Sequence, residues 1–323
     1  MLPELQRFSL DESNHALLAA QQLDAVRALL TVADRRFGRP LVAGMDWLSE
    51  HWALDRDVPF RDEISQIAKL LGRRGAWFAN LNYEWGCSAG VIASREPLLV
   101  RVLDWPFKQM GKLAVVVDCR GPAGAWHHVT WPGCVGVLQG MAPGRFAAAI
   151  NQAPRRSFGL GPYAGYVTGW VAARLDCWRS RGIPPLLLLR QVMDTAPDYA
   201  TALQRLAASA VSVPVIFTLV GTREGEYAVV QKSLAGTVVR QATAVTNCWL
   251  DGHLPGDLGM NQAPLRLAKL QESLSAGDNF RWLQPPVLNH ESRLAVEMCP
   301  ATGLFRARGY EDNQPVTVLL DEC

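Results

Sequence analysis

The order of helical and strand-like segments constrains the fold of this chain most. Apolar residues recur at helical spacing from about residue 10 to 72, and short strand-like runs follow over residues 77–117 and 133–150. Helical spacing returns between Tyr163 and Ala208, and strands return from Val213 onward. Because helices and strands come in blocks rather than in regular alternation, the sequence predicts an α+β protein with segregated layers and a helical N-terminal segment. The runs predicted as strands in the first block are Trp77–Leu81, Ala89–Ala93, Leu98–Leu103 and Leu113–Val117.

Composition excludes several classes of protein. The 323 residues are 49% hydrophobic, enough for a large core, and the net charge of +2 gives no strong field for nucleic acid or an acidic membrane. Seven cysteines without C-x-x-C pairing argue against a disulfide framework or a structural zinc site and favour a reducing compartment. The N-terminus lacks the layout of a signal peptide, and the longest apolar stretch, near Val211–Val220, is too short to span a membrane. We therefore expect a cytoplasmic protein without a transmembrane segment.

A short motif at residues 86–90, G-C-S-A-G, matches the nucleophile elbow of serine hydrolases and makes Ser88 one candidate nucleophile. That elbow needs a helix directly after it, whereas the residues that follow favour strands and a turn. The partner histidine would be His253 or His290, and neither has a supporting context. The serine hydrolase stays an alternative.

Cys87 is the second candidate nucleophile at the same place. It begins a strand-like run, and the next run, L-V-R-V-L-D-W-P-F, carries Arg101 and Asp104. A hairpin would return this pair beside Cys87, where an arginine can lower a thiol pKa from about 8.5 and a carboxylate can orient an amine. A buried structural cysteine and an ordinary ion pair explain the same residues, so spacing alone leaves both interpretations open.

Several segments resemble one family of hydrolases. The first is N-Y-E-W-G-C-S-A-G-V-I-A-S-R-E-P-L-L-V-R-V-L-D-W-P-F, from Asn82 to Phe107. It is similar to the nucleophile segment of acid ceramidase and N-acylethanolamine acid amidase, which belong with choloylglycine (bile-salt) hydrolases and penicillin acylases among the N-terminal-nucleophile (Ntn) hydrolases. V-T-W-P-G-C-V-G-V-L-Q-G-M-A-P-G-R-F, F-T-L-V-G-T-R-E-G-E-Y-A-V-V and A-V-T-N-C-W-L resemble later strands of the family, in order. The resemblance implies a four-layer αββα sandwich.

The resemblance also implies how the nucleophile forms. In the family the chain is cut before the cysteine, here between Gly86 and Cys87, by attack of the thiol on the preceding carbonyl. Residues 1–86 would then be an α chain and residues 87–323 a β chain. The new α-amine, with a pKa of about 7.7–8.0, can take the thiol proton without a histidine.

Four other side chains receive roles from the resemblance. Asn247 would donate a hydrogen bond to the oxyanion, Arg101 would lie by the thiol and the substrate carbonyl, and Asp104 would bond to the new amine. Arg266, in M-N-Q-A-P-L-R-L-A-K-L, is the candidate for a later arginine of the family, although a solvated arginine is the ordinary expectation on a helix. No cofactor and no metal is implied.

Some positions depart from the family pattern. Val102 replaces the asparagine of R-N-x-D, and Cys134 stands where an aromatic residue is expected. The acidic residue that relatives use in processing is replaced by Asn151-Gln152. The turn between Cys87 and Arg101 is also shorter than in ceramidase-like relatives. Self-cleavage is therefore expected to be slow or differently arranged.

Family activity implies a hydrolase acting on carbon–nitrogen bonds other than peptide bonds, in linear amides. The expected substrate is a small-molecule acyl amide resembling an N-acylethanolamine, a ceramide or an acyl amino acid, cleaved through a thioester. Five tryptophans near the motifs are candidates for an acyl pocket or for the core: Trp85, Trp105, Trp126, Trp131 and Trp249. The alternative is an unprocessed, non-catalytic relative that binds acylated small molecules.

Overall fold

The computed structural model describes residues 1–82, 85–154, 162–251 and 262–322. The helices are α1 (His15–Gln21), α2 (Leu23–Phe37), α3 (Arg39–Asp55), α4 (Arg61–Leu71), α5 (Ala76–Leu81), α6 (Met110–Leu113), α7 (Pro162–Arg179), α8 (Pro185–Thr195), α9 (Tyr199–Ala208) and α10 (Ala263–Ser273). The strands are β1 (Gln6–Leu10), β2 (Gly86–Ile92), β3 (Leu98–Asp104), β4 (Val115–Gly121), β5 (Gly124–Thr130), β6 (Gln139–Ala142), β7 (Phe146–Gln152), β8 (Val215–Val220), β9 (Tyr227–Lys232), β10 (Thr237–Arg240), β11 (Ala244–Val245), β12 (Ser292–Cys299), β13 (Leu304–Glu311), β14 (Gln314–Pro315) and β15 (Leu320–Glu322).

The described strands form two sheets. The first has eight strands in the order β1-β4-β5-β6-β7-β8-β9-β10. The second has the order β11-β2-β3-β12-β13-β14, and β15 pairs with β13. The β1–β4 pair is parallel, and the other pairs of these strands are antiparallel.

Helices cover the outer faces of both sheets. Helices α8 and α9 pack on the first sheet, α10 packs on β2 and β11 of the second, and the sheets face each other through contacts of β2 and β3 with β7 and β8. Strand β3 is buried along its whole length because both of its faces are covered. The predicted α+β fold with αββα layers is confirmed.

The N-terminal helices pack around an apolar cluster that they share with Val135 and Leu187. Val26, Leu30, Ile64, Ile67 and Trp77 belong to this cluster and are buried. Within the described ranges no single helix is long and apolar enough to cross a membrane, although α1 and α2, bent at 93°, reach the required length and hydropathy together.

Several sequence predictions hold, one holds in part and one is wrong. The run predicted at Leu113–Val117 is a strand only from Val115, where β4 begins, since Leu113 ends helix α6. The runs predicted at Ala89–Ala93 and Leu98–Leu103 fall largely within β2 and β3. The predicted strand Trp77–Leu81 is instead helix α5. Tertiary contacts override the aromatic strand propensity there, because the Asp46 carboxylate accepts a hydrogen bond from the Phe78 backbone N–H at the start of the helix, at 2.9 Å.

Candidate active site

The β2–β3 hairpin brings the predicted nucleophile and its predicted partners together. In the β2–β3 pairing Gly86 lies opposite Asp104, Cys87 opposite Leu103, and Ala89 opposite Arg101. The expected return of the Arg101–Asp104 pair beside Cys87 is therefore present in the structure.

Three different groups of Cys87 are held by three side chains. Its backbone N–H donates to Asn247 Oδ1 at 2.7 Å, and its carbonyl oxygen accepts from Arg266 Nη1 at 2.8 Å. Its Sγ accepts from Arg101 Nη2 at 3.0 Å. Cys87 is completely buried, so these contacts fix both its backbone and its thiol in a site screened from water.

The position of Arg266 differs from the one that the sequence predicts. Helix α10 is present as predicted, but Arg266 is 1% exposed rather than solvated. Besides the Cys87 carbonyl it donates to Ser88 Oγ at 2.7 Å and to Asn247 Oδ1 at 2.8 Å, and it pairs with Asp104 at 3.3 Å. The side chain crosses to the strand end because buried acceptors converge there, which an amphipathic pattern does not reveal.

Asp104 and Asn247 complete the polar cluster. Asp104 accepts from Ser292 Oγ at 2.8 Å through one oxygen and pairs with Arg266 through the other. Asn247 Nδ2 donates to the Gln152 carbonyl at 2.9 Å. Because the amide oxygen faces two donors and the amide nitrogen faces a carbonyl, the orientation of Asn247 is determined by its partners.

Burial and charge act in opposite directions on the thiol. Burial raises the pKa of Cys87, and the positive charge of Arg101 lowers it. Asp104 raises the Cys87 pKa and Arg266 lowers it. Burial also lowers the pKa of Arg101, whereas the neighbouring Cys87 raises it. Burial is the largest of these effects, so the pKa of Cys87 lies above its ordinary value and the two guanidinium groups only partly offset it.

The serine-hydrolase alternative lacks its required geometry. Strand β2 continues through Ser88 to Ile92, so no helix opens after the motif. Ser88 Oγ accepts a hydrogen bond from Arg266, and His290 is exposed. His253 lies outside the described residues.

Two glutamines next to the cluster were not predicted as site residues. Gln139 Oε1 accepts a hydrogen bond from Arg101 Nη1, and Gln152 Oε1 accepts from the Trp85 backbone N–H at 2.9 Å. The signal for Gln139 was a single polar residue within the apolar run V-G-V-L-Q-G-M-A. Such a residue, when fully buried, needs hydrogen-bonding partners.

One group of potential metal ligands lies away from this cluster. One ligand atom each of His15, Cys119 and His128 lies within 4.8 Å of the others. The two histidine Nε2 atoms are 3.0 Å apart, and His15 Nδ1 lies 2.7 Å from the Ser13 carbonyl, as in a hydrogen-bonded chain of neutral rings. The positive charge of Arg190 lowers the pKa of both rings in addition to burial, and it would oppose a bound cation in the same way.

Two apolar cavities meet at Trp85. The first has a volume of about 260 Å³, and its lining includes Trp85, Ile150, Gln152, Leu186, Pro214 and Leu234. The second, about 100 Å³, lies between the N-terminal helices and the sheets and includes Trp85, Trp105 and Trp131 in its lining. Trp126 is instead a core residue that donates to Asp194 Oδ1 at 2.8 Å, and Trp249 packs against the apolar cluster around Val245.

No family model matches this sequence, and no curated protein is significantly similar to it. Solved structures are similar in fold. The N-acylethanolamine-hydrolyzing acid amidase ortholog of Caenorhabditis elegans matches with a TM-score of 0.50 at 17% identity, over 67% of this chain and 93% of that chain. Penicillin V acylase from Agrobacterium tumefaciens gives 0.45 at 14% identity, over 69% and 82%. A variant of the conjugated bile acid hydrolase from Clostridium perfringens gives 0.43 at 12%, over 73% and 92%.

The likeness is one of fold. The match to the amidase from Caenorhabditis elegans supports this fold, since it extends over nearly the whole length of that protein. This chain has the Ntn-hydrolase fold, as the resemblance in its sequence predicted.

Proposed function

We propose that this chain is an amidase that hydrolyses a linear acyl amide with Cys87 as its nucleophile. The observation that carries the proposal is the fixation of Cys87 by Asn247, Arg101 and Arg266, each at a different atom of the residue. A structural cysteine needs no such set of polar partners, because a buried thiol behaves as a small apolar group.

The first step we propose is cleavage of the precursor. Cys87 Sγ attacks the Gly86 carbonyl, the Gly86–Cys87 C–N bond breaks, and the acyl group moves to sulfur. Water then hydrolyses this thioester, which leaves a carboxylate on Gly86 and a free amine and thiol on Cys87. The nitrogen released is the one that now donates to Asn247 Oδ1 at 2.7 Å, so the amine would form with its acceptor already in place.

Turnover follows from the same atoms. The unprotonated amine takes the proton of the thiol, and the sulfur attacks the carbonyl of the substrate amide. The oxyanion then needs donors, and we assign this role to Asn247, whose Nδ2 now bonds to the Gln152 carbonyl at 2.9 Å and would have to be released from it. The leaving amine takes the proton, and water hydrolyses the thioester to the free acid.

The substrate class rests on the shape of the site. The cavity of about 260 Å³ borders Ile150 and Gln152, which contact Arg101 and Asn247, and its other lining residues are mostly apolar. An acyl chain fits such a surface, because burial of apolar area stabilises its binding. The fold likeness to a protein named for N-acylethanolamine hydrolysis supports the same class.

Intact mass under denaturing conditions tests the proposal. The wild-type protein should give two chains that separate between Gly86 and Cys87, and Cys87→Ala should stay at 35.5 kDa. Cys299→Ala, which removes a buried cysteine far along the chain, serves as the matched control and should be cleaved like the wild type. Wild type and variants are then assayed with acyl amides of increasing chain length.

A single uncleaved species in every variant, without turnover of any acyl amide, would contradict the proposal. Binding of the same amides by that species would then support the alternative, a non-catalytic protein that holds acylated small molecules. Turnover that survives in Cys87→Ala and is lost in Ser88→Ala would support the serine hydrolase instead.

A further inference from the structure

The hydrogen bonds that the Arg101 guanidinium donates go to groups without a formal charge. Its guanidinium donates to Cys87 Sγ at 3.0 Å, to the Ile150 carbonyl at 2.8 Å and to Gln139 Oε1. Among the residues that the structure describes, no carboxylate lies within ion-pair distance of Arg101. Arg266, in contrast, pairs with Asp104 at 3.3 Å.

Gln139 is itself fixed in one orientation. It is completely buried, and its Nε2 donates to the Val129 carbonyl on the neighbouring strand β5. An amide nitrogen cannot accept and an amide oxygen cannot donate, so this bond aims Oε1 at the arginine. The interaction also joins the two sheets, since Gln139 lies on β6 of the first sheet and Arg101 on β3 of the second.

We propose that Gln139 is a positioning residue that holds the Arg101 guanidinium against the Cys87 sulfur without neutralising its charge. The proposal rests on the function proposed above, in which this sulfur is the nucleophile. A glutamate in the same place would accept the same hydrogen bond and would add a negative charge. The choice of an amide therefore leaves the positive charge of Arg101 available to the sulfur.

The charged groups that act on Cys87 in the described residues are few. Arg101 and Asp104 face it from β3, and Arg266 faces it from α10. Since Asp104 and Arg266 form an ion pair, their effects on the sulfur largely oppose each other. Arg101 is thus the main group that favours the thiolate, and any change in its net charge should appear in the titration of Cys87.

The test is the titration of Cys87 in Gln139→Glu. Protein labelled with carbon-13 at cysteine Cβ reports thiol and thiolate by NMR without a reagent that must reach the buried site, and Cys87→Ala assigns the signal. A unit charge roughly 6 Å from the sulfur, at an effective dielectric constant of about 20, should raise the Cys87 titration midpoint by about two pH units. Gln241→Glu, which adds the same charge at an exposed glutamine, should leave it unchanged.

A second variant separates charge from packing. Gln139→Met keeps the approximate size of the side chain but removes the hydrogen bonds, so it should shift the titration less than Gln139→Glu does. A Cys87 midpoint that is unchanged in Gln139→Glu, or that moves as far in Gln139→Met, would overturn the proposal.

Activity provides an independent readout. In Gln139→Glu the pH profile of kcat/KM for an acyl amide should move to higher pH by the same interval, with about a hundredfold lower activity at neutral pH. A merely structural role would lower activity at every pH without moving the profile. Absence of turnover in the wild type would count against the amidase, while the NMR titration would still decide the role of Gln139.

Discussion

Lowering the pH from 7 to 5 should reduce the free energy of unfolding by about 2 kcal/mol through His128 alone. Burial, together with the charge of Arg190, lowers the pKa of His128 from 6.5 to about 3. Between pH 3 and pH 6.5 the unfolded chain binds a proton on His128 that the folded protein does not bind. The free energy of unfolding therefore rises with pH over this range. The contribution is complete above pH 6.5 and is lost as the pH falls toward 3.

Urea unfolding followed by tryptophan fluorescence at pH 7, 6 and 5 measures this effect. The Cys87→Ala background keeps a single chain, so one transition is analysed. His128→Gln preserves a donor to His15 while removing one titrating ring, so the loss of stability between pH 7 and 5 should be smaller by about 2 kcal/mol. Buried His15 and His127, whose pKa values are also lowered, account for the dependence on pH that remains. An identical loss of stability between pH 7 and 5 in both proteins would refute the reasoning.

Three substitutions test other parts of the molecule. Asn247→Ala removes the proposed oxyanion donor and should lower kcat/KM by about 100- to 1,000-fold; a loss below tenfold would speak against that role. Ser88→Ala removes one acceptor of Arg266 and should cost about 1 kcal/mol of unfolding free energy while turnover stays within a few-fold; abolished turnover would contradict the cysteine mechanism. Glu63→Gln deprives buried Arg190 of its bidentate partner, at 2.7 and 2.9 Å, and should cost about 3 kcal/mol in urea unfolding; a cost near zero would contradict this account.

Local patterns were enough to predict the hairpin that carries the nucleophile. Two strand-like runs joined by a short connection predict a hairpin that returns Arg101 beside Cys87, and in the structure Arg101 lies across from Ala89. The same local logic predicted helix α10. It could not predict that Arg266 on that helix is buried, because its acceptors come from strands about 160 to 180 residues earlier in the sequence.

Contacts with residues distant in the sequence also explain why strand β1 and helix α5 are not predicted from local patterns. Strand β1 pairs with β4, and no local signal indicates a partner more than a hundred residues away. The aromatic residues of helix α5 favour strands in general, so the sequence predicts a strand there. Its geometry is instead set by Asp46 and by Asn80, whose side-chain amide donates to the Gly133 carbonyl at 2.9 Å.

The N-terminal segment does more than cover the sheets. Its strand β1 forms the edge of the first sheet against β4, and its Glu63 pairs with Arg190 of helix α8. Opening the bond before Cys87 would remove none of these contacts, so a nicked protein should keep its native size and elute as one particle. Residues 87–323 produced alone would instead expose the unpaired edge of β4, a template for self-association. The two chains would therefore separate only under denaturing conditions.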